Sequence, residues 1–318
     1  MIPFSSGRGS RSTRIRFKAL HAVLALCLLT SASIAATRTP TQDGIVYGEA
    51  SGEKLTMDYY APPGPGPHPI AIIIHGGGFT GGTSKNGSEA YCADFLAPAG
   101  YAVFSINYRL APAYPYPAMV QDVQRAIRFI RAHASEWNGD PKRIALVGGS
   151  AGGYLSNMAG LLNSPGDKAA ADPVNRESAR VQAVVTLFGP TDFRGKPMNP
   201  NVHALLDAPI AQEGQEAVFA EASPITHVTR KAPPFLLIHG DNDEAVPFTE
   251  STNLQAALRA VGVRCDLIRI PNGRHATGGW YKVPGVPDWE RQMTEWLNQR
   301  LNHKGALGAG IRAREPQQ

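Results

Sequence analysis

Residues 143–162 read RIALVGGSAGGYLSNMAGLL. An apolar run ends in four glycines that bracket Ser150, and a second apolar segment, 154–162, follows. Glycine is costly inside helices and strands, so such a cluster needs a reason. Gly148, Ser150 and Gly152 match G-x-S-x-G. Between a strand and a helix, that pattern describes a serine held up on a strained turn, with small neighbours that let strand and helix pack closely around it. The amides and dipole of the following helix favour negative charge near Ser150. The cluster fits G-x-G-x-x-G in no frame, and no Gly-Lys-Ser/Thr follows, which excludes a phosphate-binding P-loop.

Working outward, the same kind of apolar run recurs. PIAIIIH (69–75), YAVFSINY (101–108), VQAVVTLFG (181–189), PFLLIHG (234–240) and RCDLIRI (264–270) read as buried strands. Extended segments at Ile45–Tyr47 and Lys54–Tyr60 precede them. Between several runs lie helical patterns. Val120–Ala134 carries Val120, Val123, Ala126, Ile127 and Ile130 at helical spacing, and Phe248–Val261 and Trp289–Leu301 are similar. Strands alternating with helices give the α/β class, with a mostly parallel sheet and right-handed crossovers. In such sheets the functional loops gather at the carboxyl ends of the strands. One catalytic domain is expected over 40–302. Its segment 190–228 is too long for a plain connection and reads as a small cap with short helices at Val202–Asp207 and Gln215–Ala222.

The loop HGGGFTGG (75–82) also follows a strand. Gly76, Gly78 and Gly81 fit G-x-G-x-x-G, but polar residues delay the helix and the next strand ends at Asn107 rather than an acid. Dinucleotide binding is therefore set aside. Consecutive glycines instead let backbone N–H groups approach a small negative atom. A serine nucleophile needs a base, and the base an orienting acid, in the chain order Ser, Asp/Glu, His. Of the histidines after Ser150, His203 and His227 precede the best acid, His239 lies inside a strand run, and His303 lies in the tail. His275 sits in a turn immediately after the last strand and is the expected base. HGDNDEAVP (239–247) offers Asp241, Asp243 and Glu244. Asp243 is preferred, Asp241 is the fallback and Asp192 an alternative, while Asp266 reads as structural.

HGGGF (75–79), NYRLAP (107–112), YPYPA (114–118), GGSAGG (148–153) and HGDNDEAVP followed by GRH occur in order over about 200 residues. Together they make the chain resemble an α/β-hydrolase of the esterase/lipase group. The DNDEAVP loop is similar to the acetyl-xylan/feruloyl esterase-like (BD-FAE-like) branch. That resemblance implies an α/β-hydrolase fold and a serine carboxylesterase with Ser150, Asp243 and His275 as catalytic residues. It also implies an oxyanion hole from the N–H groups of Gly77, Gly78 and Ala151, with no metal or cofactor. Gly149 departs from it, because many relatives carry a polar or charged residue there. His75, Tyr108 and Arg109 are read as anchoring the glycine loop. Phe79, Tyr154 and Trp280 are candidates for lining an acyl or alcohol pocket. A serine peptidase, a formamidase-like amide hydrolase and a non-catalytic binding protein are the competing classes on this fold. The expected partner is a small-molecule or polysaccharide ester.

The two ends of the chain distort its totals. Residues 1–18 are basic, Ala19–Leu29 is apolar, and Ser33 and Ala35 have cleavage-site spacing. That order reads as a secretory signal peptide over 1–35, hence a secreted or periplasmic protein with no stable membrane insertion after cleavage. Residues 303–318 read as a flexible tail. The pI of 9.1 would suggest an anionic partner. Yet five of the 31 basic residues and none of the 26 acidic ones fall within 1–35, so the remainder balances and no nucleic-acid face is expected. Cys92 and Cys265, far apart and in no metal-ligand spacing, read as buried free thiols.

Overall fold

The computed structural model describes residues 38–86, 89–195, 200–207 and 216–301. The signal-peptide reading of 1–35 and the tail reading of 303–318 lie outside the described residues.

Eight strands form one sheet: β1 (Gln42–Ala50), β2 (Glu53–Tyr60), β3 (His68–Ile74), β4 (Ala102–Ile106), β5 (Gly139–Gly149), β6 (Ala183–Leu187), β7 (Phe235–Gly240) and β8 (Cys265–Ile270). Their order is β1-β2-β4-β3-β5-β6-β7-β8. β1 and β2 pair antiparallel, as do β2 and β4, and the remaining neighbours are parallel. The helices are α1 (Cys92–Leu96), α2 (Ala118–Ala132), α3 (Ala151–Leu162), α4 (Pro200–Leu206), α5 (Glu216–Glu221), α6 (Thr249–Ala260) and α7 (Trp289–Arg300).

The apolar runs become strands because both faces of the sheet are covered. Every residue of β3 is buried, with Ile70, Ile72 and Ile74 in one core and Ala71 and Ile73 in the other. The first core holds the apolar faces of α2, α3 and α6, and the second those of α1 and α7. Cys92 and Cys265 are free and buried, as expected. Val202, Leu205, Leu206 and Phe219 of α4 and α5 join the first core. α4 and α5 are thus packed down on the sheet's helices, and the Tyr116 N–H donates to the Leu205 carbonyl (2.6 Å). Among the described residues no helix is long and apolar enough to cross a membrane.

The chain passes from β3 to β4 on one side, then returns to β5 on the other. The loops after β3 and β5 therefore diverge at a topological switch point, the place at the carboxyl ends of the strands where sheets of this kind bind ligands. Those are the two glycine-rich loops.

Candidate active site

Ser150 joins β5 to α3 at φ 53°, ψ −120°. This is a left-handed conformation that costs a side-chain-bearing residue strain, so the surroundings must hold it. The Ser150 N–H donates to Leu187 O (2.9 Å), and Ser150 O accepts from the Tyr154 N–H (2.9 Å). A Cβ on Gly152 would lie 2.0 Å from Ile74 O. That glycine is what lets α3 start hard against the end of β3. Gly149, unexplained by the sequence, has a comparable reason: its Cβ would lie 2.1 Å from Oε1 of Glu89, a fully buried carboxylate.

The glycine loop after β3 turns through Gly77 (φ 121°) and Gly78 (φ 60°). His75 anchors it, as expected, by donating from Nδ1 to Gly76 O (2.7 Å). Its ring stacks on Tyr108 at 4.3 Å, and the Tyr108 hydroxyl donates to His75 O (2.8 Å). Burial pushes the His75 imidazole down to about 4, with the Gly76 bond opposing the shift. Arg109 holds the neighbouring loop. Its N–H and its guanidinium both donate to the buried Asp122 carboxylate of α2, the shortest contact being 2.7 Å. A Cβ on Gly78 would lie 2.7 Å from Nδ2 of Asn201, which places an amide of α4 against this loop. No motif in the sequence pointed to that contact.

Three side chains from three loops meet above the sheet. His275 Nε2 lies 2.9 Å from Ser150 Oγ, and Nδ1 lies 2.7 Å from Asp243 Oδ2. A carboxylate only accepts, so Nδ1 carries the proton and Nε2 accepts from the serine hydroxyl. Asp243 Oδ1 accepts from the Ala245 and Val246 N–H groups (2.9 and 2.8 Å). Burial alone would raise the Asp243 carboxyl. Hydrogen bonds from His239 and His275, the electrostatic attraction of the His275 ring and the Val246 N–H outweigh burial and hold it well below the usual carboxylate range. His239, read from the sequence as a strand-end packing residue, is fully buried with Nε2 3.3 Å from Asp243 Oδ2. Its Nε2 also lies 2.9 Å from Val246 O and its Nδ1 2.7 Å from Ser251 Oγ. That fixes the tautomer, with Nε2–H donating and Nδ1 accepting.

The other candidates stand apart. Asp241 accepts from the Asn272 N–H (2.6 Å) and from Arg269, tying two loops together. Asp192 pairs with Arg194, Glu244 with Arg274, and Asp266 binds Arg264 and Trp296 Nε1. His203 is on α4, and His227 donates to Glu221 O (2.6 Å).

The pocket-lining expectation needs correction. Phe79, Tyr154 and Trp280 are 3%, 0% and 0% exposed. Phe79 meets Tyr154 edge-on at 5.3 Å in the first core. Trp280 lies in the second core and donates to Arg274 O (2.8 Å). These rings are packed within the two cores rather than on an open surface.

A concavity of about 580 Å³ is lined by Glu53, Lys54, Leu55 and residues 107–114 and includes none of Ser150, Asp243 and His275. The hydrogen-bonded chemistry above, rather than the depth of that groove, marks the candidate site. Among the described residues no group of three or more His, Cys, Asp or Glu side chains could hold a metal ion.

The BD-FAE family profile matches residues 57–258, which takes in both glycine loops and Asp243. The probable carboxylic ester hydrolase LipM of Mycobacterium tuberculosis (strain ATCC 25618 / H37Rv) is 36% identical over 233 residues, 70% of this chain and 53% of its own length. Esterase LipC of the same strain is 34% identical over 215 residues, 66% of this chain and 53% of its own. The chain thus spans about half the length of these curated relatives. An acetyl ester-xyloside bifunctional hydrolase from Caldicellulosiruptor lactoaceticus superposes with a TM-score of 0.73 at 27% identity, over 83% of this chain and 98% of that one.

Proposed function

The chain belongs to the BD-FAE family, and from that premise we propose that it is a serine carboxylesterase acting on short acyl esters through an acyl-enzyme. The reading rests above all on one observation: the strained Ser150 shares a continuous hydrogen-bond path with His275 and the buried Asp243. In this mechanism His275 Nε2 takes the Ser150 proton as Oγ attacks the ester carbonyl. Asp243 holds the Nδ1–H tautomer and stabilises the imidazolium. The N–H groups of Gly77, Gly78 and Ala151 receive the tetrahedral oxyanion, each such donor being worth about 3 kcal/mol in the transition state. His275 then protonates the leaving alcohol, and water releases the acyl group by the same steps in reverse.

A small acyl group is supported by the named acetyl-ester activity of the structural neighbour. Acetylated polysaccharide is the proposed substrate class, reached after export directed by residues 1–35, whose basic, apolar and small segments follow in order. The 190–228 segment shapes the alcohol side. Ser150→Ala is expected to abolish hydrolysis of p-nitrophenyl acetate and labelling by a fluorophosphonate while leaving the unfolding transition in place. Retained hydrolysis would overturn the assignment. A chain-length series of p-nitrophenyl esters run beside acetylated xylan tests the substrate class, and a preference for long acyl chains would reverse it. Faster turnover of a peptide or formamide panel would replace the esterase with an amide hydrolase. The N-terminal residue of the exported protein, read by mass spectrometry, tests the export.

A further inference from the structure

Glu89 is fully buried in the stretch before α1, between the two loops that form the candidate site. Its Oε2 accepts the Gly76 N–H at 2.7 Å. Its Oε1 occupies the space a side chain at position 149 would need, 2.1 Å from where that Cβ would stand. The Cβ position at Gly76 is in turn 3.4 Å from the Ser150 Cβ. One carboxylate therefore touches the oxyanion-side loop at its first glycine and the serine-bearing turn at the residue before Ser150.

We propose that Glu89 is a positioning residue for the hydrolytic reaction, its carboxylate clamping the glycine loop after β3 against the turn after β5. The proposal rests on the reading of Ser150 as nucleophile. Its physical basis is the loop's own weakness. Gly76, Gly77 and Gly78 have little intrinsic conformational preference, yet their N–H groups must stand at a fixed distance from Ser150 to meet an oxyanion. A charge-assisted bond to a backbone N–H is stronger than a neutral one. Fixing the Gly76 N–H fixes the His75–Gly76 peptide plane, from which the glycine loop departs. Gly149 is the complementary half: the turn gives up a side chain so that the acid from another part of the chain can enter.

The test uses the whole protein with Glu89→Ala, Glu89→Gln, Gly149→Asp and the double variant Glu89→Ala/Gly149→Asp. Three quantities are measured: the rate of fluorophosphonate labelling of Ser150, kcat and KM for p-nitrophenyl acetate, and the thermal midpoint. Glu89→Ala is expected to slow labelling and kcat on the order of 100-fold, the size of loss that small misplacements cause, with KM nearly unchanged. Glu89→Gln keeps an acceptor for the Gly76 N–H and recovers most of the loss. Gly149→Asp alone is as slow as Glu89→Ala, because its side chain collides with Glu89. The double variant is faster than either single one, because the new carboxylate takes the vacated space. Should Glu89→Ala fail to fold, Glu89→Asp, one methylene shorter, carries the same expectation of slowed labelling. Wild-type labelling by a folded Glu89→Ala or Glu89→Asp overturns the proposal, as does a double variant no faster than Glu89→Ala. If the wild type labels but hydrolyses no ester, the esterase reading falls while the labelling series still decides the role of Glu89.

Discussion

Asp243 keeps its charge although its side chain is wholly buried, because donors surround it: two backbone N–H groups and the imidazoles of His275 and His239. Removing the charge but not the shape, as in Asp243→Asn, is expected to lower kcat by about 10,000-fold, with the fold retained; steady-state kinetics on p-nitrophenyl acetate check this. The carboxyl is held low in the folded state. Its stabilising contribution is therefore complete above the unfolded value of about 3.9 and is lost as pH falls toward the folded one. His75 works at higher pH. Its folded value of about 4 lies below the unfolded value of about 6.5. The unfolded chain then binds an extra proton between those limits, so stability drops by about 1.4 kcal/mol for each unit that the pH is lowered from about 6.5 to about 4. Urea unfolding between pH 7 and 4 is expected to show a shallower acid slope for His75→Gln than for the wild type. Chain order and loop position led to Ser150, Asp243 and His275, which the structure brings into hydrogen-bonding contact. The contacts of His239 and Glu89 were not legible: His239 meets Asp243 only through the way the loop after β7 folds back, and Glu89 meets residues 13 and 60 positions away. A strand-end histidine and an acid before a helix carry no mark of what they face.

At the scale of elements, the site depends on how closely β3, β5 and α3 converge. The apolar runs gave away the buried strands, since a strand covered on both faces has no polar alternation. The antiparallel pairing of β1 and β2 was less visible, because the exposed edge strand β1 buries little. The loop after β4 is held by the Arg109–Asp122 pair, whose side chains are 10% and 2% exposed. Asp122→Ala would leave the guanidinium without its partner and is expected to destabilise the protein by about 3–5 kcal/mol, measured as a shift in the denaturant midpoint. Asp122→Asn should lose less, since it keeps an acceptor for the Arg109 N–H. The glycine cluster was legible as a turn, but the identity of what each glycine accommodates was not. Gly152 answers to a carbonyl of β3, and Gly149 to a side chain sixty residues upstream.

Over the whole molecule, the two halves of the candidate site rest on different cores. Ser150 leads into α3, whose apolar residues pack in the first core with those of α2, α4 and α5. His275 instead sits on Phe188 (4.8 Å between rings), which meets Trp280 edge-on at 5.5 Å, and Trp280 meets Trp289 of α7 at 5.5 Å. The sheet separates these supports, so a disturbance deep in the second core reaches the histidine without passing through the serine. Trp289→Ala is expected to cost about 3–5 kcal/mol of stability, as for other buried aromatic truncations. It should also lower kcat on p-nitrophenyl acetate under conditions where the protein remains folded, because the ring floor beneath His275 relaxes. Trp289→Phe, which keeps an aromatic edge toward Trp280, should lose less of both. Leu155→Ala in α3, on the other face, should destabilise by about 2–5 kcal/mol without sharing that floor. The two truncations should then add to within about 0.5 kcal/mol in the double variant, as independent sites do. A strong departure from additivity in denaturant titrations would mean that the sheet transmits strain between the cores, and that Ser150 and His275 are held by one support rather than two.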